Sequence, residues 1–132
     1  MKLRHRISML VLAGMLAAVS LGTVSATANN HKDTTFSFNF DYVNQMRYTE
    51  SREKQDSSSM YAKNSRGAGF YAHAFAPGYI DKTNVRTPYA QPGGAAVFIY
   101  NNIYEDGYRA AILGARSTSS GSCNGLWSPD SV

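Results

Sequence analysis

Phe36-Ser37-Phe38-Asn39-Phe40-Asp41-Tyr42 alternates aromatic and polar residues without a break. Successive side chains on a strand point to opposite faces, so this period of two gathers the rings on one side and the polar groups on the other. A helix would scatter the same rings around its axis. The segment predicts a strand with one buried face, which needs a second layer to cover it. The phase runs on through Met46 and Tyr48 with an interruption at Asn44, which predicts a long or bent strand. A helix over residues 42–55 is the weaker alternative.

Downstream, residues 50–59 (ESREKQDSSS) hold no apolar side chain, and a solvated loop is expected. Met60–Ala62 can open a strand, residues 66–69 read as a turn, and FYAHAFA over residues 70–76 reads as a strand that Pro77-Gly78 ends. Residues 79–94, with Pro88, Pro92 and Gly93-Gly94, read as an irregular connection with one short edge strand around Val85. Residues 95–105 and 108–117 are rich in strand formers on either side of Asp106-Gly107. That pair suits a type I′ turn, whose two central residues need positive φ. A hairpin is expected, with Tyr100 opposite Leu113 and Phe98 opposite Ala115, large against small. Residues 117–124 read as a loop. The fold class is all-β, a small antiparallel β-sandwich or open barrel.

The front of the chain carries a different pattern. Lys2, Arg4 and Arg6 precede the uncharged stretch ISMLVLAGMLAAVSL, and Ala26-Thr27-Ala28 follows it. A basic start, an apolar middle and a small-x-small end make a secretory signal peptide. The apolar run falls short of the roughly 20 residues a spanning helix needs. Cleavage is expected after Ala28, with Ala26 as a second site. Residues 1–28 are then the signal peptide, and residues 29–132 form a single secreted domain with a loose start over 29–35. The membrane is met only during export. Cleavage removes three basic residues, so the net charge of +4 falls to +1. No clustered basic face remains, and nucleic acid is not an expected partner.

Cys123 is the one cysteine, so no internal disulfide can form, and the domain must hold together by packing alone. In SSGSCNG it reads as an incidental exposed thiol. His31 lies in the loose start, and His73 shares a strand face with Tyr71 and Phe75, which suits a packed or edge histidine. No H-E-x-x-H, cysteine pair or histidine–carboxylate cluster points to a metal, and no G-x-S-x-G points to a serine nucleophile. No catalytic residue, metal ligand or cofactor is therefore assigned. Tyr71, Tyr79, Tyr89, Tyr104 and Tyr108 are candidates for an aromatic surface that binds sugar or peptide chains. Tyrosine is also a favoured strand residue, so such a surface requires several of them exposed together. Trp127, in the closing GLWSPDSV, either covers an open end of the core after a turn at Asn124-Gly125 or meets a partner.

FSFNFDY, YNNIYEDGYRAAILGARS and GLWSPDSV give a layout that resembles small exported proteins of Gram-positive bacteria from uncharacterised secreted families. More loosely, it is similar to the lactococcin 972 group of bacteriocins. That resemblance implies a Sec-exported, cysteine-poor, aromatic-rich β-sandwich acting on cell-wall synthesis. It carries over no functional residue, and the irregular stretch 79–94 departs from it. The expected function is a secreted, non-enzymatic protein that binds a cell-envelope component or another protein. The alternative is an extracellular hydrolase. A binding module should show tyrosines exposed in a cluster, and an enzyme should show a cleft where His73 meets a carboxylate.

Overall fold

The computed structural model describes residues 30–131. The expected signal peptide and its cleavage sites lie outside the described residues. Among the described residues ten strands follow one another: β1 (Thr34–Phe40), β2 (Met46–Tyr48), β3 (Arg52–Glu53), β4 (Met60–Gly67), β5 (Phe70–Ala76), β6 (Ile80–Asp81), β7 (Tyr89–Ala90), β8 (Val97–Ile99), β9 (Ala110–Ser117) and β10 (Gly121–Ser128). They form two antiparallel sheets. The six-stranded sheet runs β2–β9–β5–β6, with β3 also on β9 and β7 also on β5; the four-stranded sheet runs β1–β10–β4–β8. The all-β class is observed, in a form consistent with a small β-sandwich. The alternative helix over 42–55 is replaced by β2 and β3.

Alternation builds the core as the first strand predicted. Phe36, Phe38 and Phe40 of β1 are buried, and so are Phe70, Ala72, Ala74 and Ala76 of β5. Rings from one sheet pack against alanines from the other, and Phe70 meets Phe36 and Phe38 edge-on at 5.6 and 5.9 Å. Tyr42 leaves this phase and is exposed, because the chain bends after Phe40 and crosses to the other sheet as β2.

The expected hairpin does not form. β8 pairs with β4 in one sheet, whereas β9 pairs with β5, β2 and β3 in the other. Asn101 diverts the chain: its Nδ2 donates to Ile99 O at 3.0 Å, and its Oδ1 accepts from Ile103 N at 3.2 Å. Side-chain bonds of this kind satisfy the backbone locally and compete with a strand ladder. Tyr108 N then closes on Ile103 O at 3.0 Å, with Gly107 at φ +92°. Asp106-Gly107 does turn the chain, but the turn carries it between sheets.

The expected loop over 117–124 and the tail after it are also corrected. β10 is an inner strand of the four-stranded sheet, with β1 on one side and β4 on the other. Asn124-Gly125 is a bulge in that strand and not a turn. A Cβ on Gly125 would sit 1.9 Å from Lys63 O, so the close strand approach requires glycine. Cys123 is buried and not an exposed loop thiol; burial pushes it up to about 11, only partly opposed by a hydrogen bond with the Phe38 backbone.

Three smaller readings change as well. The expected loop over 50–59 contains β3 and the wholly buried Lys54. The start of the domain is tied down: Asn30 N donates to Asp130 Oδ2 at 2.6 Å, and Arg52 Nη2 donates to Asn30 Oδ1 and Lys32 O. Val85 is an exposed residue at φ +72°, and the short strands of that stretch are β6 and β7.

Candidate functional site

Residues paired across antiparallel strands share a face. On the six-stranded sheet one row reads Met46, Arg116, Tyr71 and Tyr89. The next reads Tyr48, Gly114 and His73, and a third Ile112, Phe75 and Asp81. Their strand neighbours Ala72, Ala74, Leu113 and Ala115 fill the core, so these rows lie on the outer face.

Gly114 shapes the middle row. A Cβ there would sit 2.4 Å from Phe75 Cε2 and 3.2 Å from Met46 Cε. Without one, the Phe75 ring lies across the glycine, and Tyr48 meets that ring edge-on at 5.2 Å. Tyr79, from the turn after β5 with φ +59°, closes on Tyr48 at 4.6 Å. At the other end Tyr71 and Tyr89 lie 5.2 Å apart, with the Arg116 guanidinium 4.6 Å over the Tyr71 ring. Tyr48, Tyr79 and Tyr89 are 39, 61 and 43% exposed.

His73 sits within this face, and its Nδ1 is 3.0 Å from Asp81 Oδ2. Partial burial pushes the Asp81 carboxyl up, but the Thr83 hydroxyl and amide, and then His73, outweigh it and hold it below the ordinary carboxylate range. An ionised Asp81 can only accept, which places a proton on Nδ1. Nε2 is buried and has no hydrogen-bond partner among the described residues.

Of the residues singled out from sequence, Tyr71, Tyr79 and Tyr89 come together here. Tyr104 and Tyr108 do not join them: Arg109 covers Tyr104 at 3.8 Å and Lys82 lies over Tyr108 at 5.5 Å. Trp127 is in the core, 2% exposed, with Arg52 5.3 Å over its ring and bonded to its carbonyl. Sequence reading missed Met46, Tyr48, Gly114, Arg116 and Asp81. The period-two phases Met46–Tyr48 and Ile112–Gly114–Arg116 carry a signal for four of them. Asp81 depends on the turn geometry of residues 77–80.

A cleft of about 550 Å³ opens between β1 and the chain from β2 to β3. Thr34, Thr35, Ser37, Thr49 and Ser51 line it with hydroxyls, and Tyr48 contributes to it. His73 does not. Among the described residues, no group of three or more His, Cys, Asp or Glu side chains is placed to hold a metal ion.

One family model matches residues 23–131, that of a protein of unknown function, DUF2712. The match spans most of the chain, and the chain belongs to that family. No curated protein and no solved structure matches it.

Proposed function

We propose that this DUF2712 protein is exported and acts without catalysis, by binding a component of the cell envelope through the outer face of its six-stranded sheet. The observation that carries this reading is the joint exposure of Tyr48, Tyr79 and Tyr89 on one face. Tyrosines on strands offer large, rigid contact area with little side-chain entropy to lose. Flat CH faces of sugar rings suit such a surface, and Arg116 adds a cation beside Tyr71. Export rests on the basic, apolar and small-residue pattern of residues 1–28. In its finer form the proposal is a bacteriocin-like protein of a Gram-positive bacterium, as the resemblance to the lactococcin 972 group implies.

The hydrolase reading has the His73–Asp81 pair in its favour, since a base oriented by a carboxylate is part of a nucleophile-activating set. The burial of Nε2 weighs against it, because that atom would have to reach the nucleophile.

The test is retention of the purified protein on isolated cell-wall glycan and on envelope-lipid vesicles. The wild type should be retained on the glycan. Tyr79→Ala combined with Tyr89→Ala should weaken retention about tenfold, roughly 1.4 kcal/mol, in a protein that still unfolds cooperatively above the assay temperature. Equal retention of both proteins would refute the face, and retention on vesicles alone would refute the glycan. N-terminal sequencing of culture supernatant should find Asn29 first; intact Met1 protein confined to membranes would refute export.

A further inference from the structure

A second constellation lies where residues 54–58 meet Asp130. The Lys54 Nζ stands 2.5 Å from Asp130 Oδ1, and neither side chain is exposed. Moving a proton across this contact, from ammonium to carboxylate, leaves a neutral amine against a neutral acid. Those are the reactants of amide formation. The Nζ is held in place by Ser58 O at 2.6 Å. Asp130 Oδ2 accepts from the backbone N–H of Asn30 at 2.6 Å and of Gln55 at 2.9 Å. Two N–H groups thus aim at the oxygen that gains negative charge when the carboxyl carbon is attacked.

We propose that Lys54 and Asp130 condense to an intramolecular amide. The neutral Nζ attacks Asp130 Cγ, a C–N bond forms, and negative charge passes to Oδ2 beneath the two backbone amides. The Nζ passes a proton to the Oδ1 hydroxyl beside it, 2.5 Å away. The C–Oδ1 bond breaks, Oδ1 leaves as water, and the Oδ2 carbonyl re-forms. Amine and acid become amide and water, and no oxidant or cofactor enters. The link would join β3's far end to the residues after β10, in a chain whose one cysteine allows no internal disulfide.

Intact-mass spectrometry of the purified, folded protein tests this. The wild type should be lighter by one water than the sequence from its observed N-terminus. Digestion should yield a branched peptide joining Lys54 to Asp130. Lys54→Arg should restore the full mass. Asp130→Asn should release ammonia in place of water and reach the wild-type linked mass. Should Lys54→Arg fail to fold, Lys54→Met keeps the buried stem without the amine and should show its full sequence mass. A wild type at full mass would overturn the proposal. So would a missing water mapped elsewhere, such as a cyclised Asp106-Gly107.

Discussion

Replacing Trp127 by alanine tests whether the late-placed indole organises the core. Trp127 is 2% exposed on β10, and its register partners are Thr34 on β1 and Ala62 on β4. Losing a buried tryptophan costs about 3–5 kcal/mol, the transfer term plus the cavity left behind. The upper half of that range applies, because small neighbours on hydrogen-bonded strands cannot collapse into the void. Arg52 adds a second loss. Its bond to the Trp127 carbonyl, 3.0 Å, survives the substitution, but its stacking on the ring does not. Stacking of this kind contributes roughly 0.5–1 kcal/mol. The total, about 4.5–6 kcal/mol, is comparable with the whole stability of a domain near the lower end of 5–15 kcal/mol. At about 4 °C per kcal/mol for a domain of this size, the melting temperature should fall by about 15–25 °C. Circular dichroism melts of wild type and variant measure the drop, and wild-type fluorescence should be blue-shifted until unfolding. A Lys54–Asp130 link would act alike in both proteins and leave the difference intact. A fall of less than about 5 °C would refute a core role for the indole.

Gly114→Val should place methyl groups in the Phe75 ring, cost about 1–3 kcal/mol in urea unfolding and abolish glycan retention by displacing the aromatic face. Gly107→Val should cost roughly 1–2 kcal/mol in the same assay, since φ is +92° while a Cβ there meets nothing within 4 Å. The Cys123 thiol, buried and raised to about 11, should resist alkylation at neutral pH in the native protein and react at once when unfolded. Asp81 has a depressed folded pKa, so its contribution is present above the usual carboxylate range and is lost as pH falls through the folded value. Melting temperature should therefore decline on acidification below about pH 4, and less steeply in Asp81→Asn.

Much of the fold was legible because burial and strand period coincide. Phe36–Phe40 and Phe70–Ala76 alternate in the sequence and do so in the sheets. What misled was local turn chemistry read without tertiary context. Asp106-Gly107 turns the chain, yet Asn101 decides which sheet the chain has already left. Asn124-Gly125 has the composition of a turn, but strands on both sides hold it extended as a bulge. Lys54 was illegible for a related reason: a lysine in a polar run reads as solvated, and only Asp130, far along the chain, explains its burial. In the candidate site, Tyr71 and Tyr89 were visible as tyrosines. The part played by Gly114, which is to have no side chain, becomes visible only when β5 lies beside β9.

The pairing of β1 with β10 bears on how the chain reaches this state. Seven register positions, from Phe40↔Gly121 to Thr34↔Trp127, join the first described strand to the last. β1 meets β4 only through β10, so the four-stranded sheet cannot assemble before β10 is available. Contacts of such long sequence separation require loop closure before any stabilisation returns, which places folding on the millisecond-to-second scale. Until then β1 lacks its strand partner, and a chain interrupted before residue 121 presents it, with its three phenylalanines, as an unpaired strand edge, a template for association with other chains. Proteolysis or stalled synthesis in that interval therefore leads to aggregation and not to a smaller folded unit.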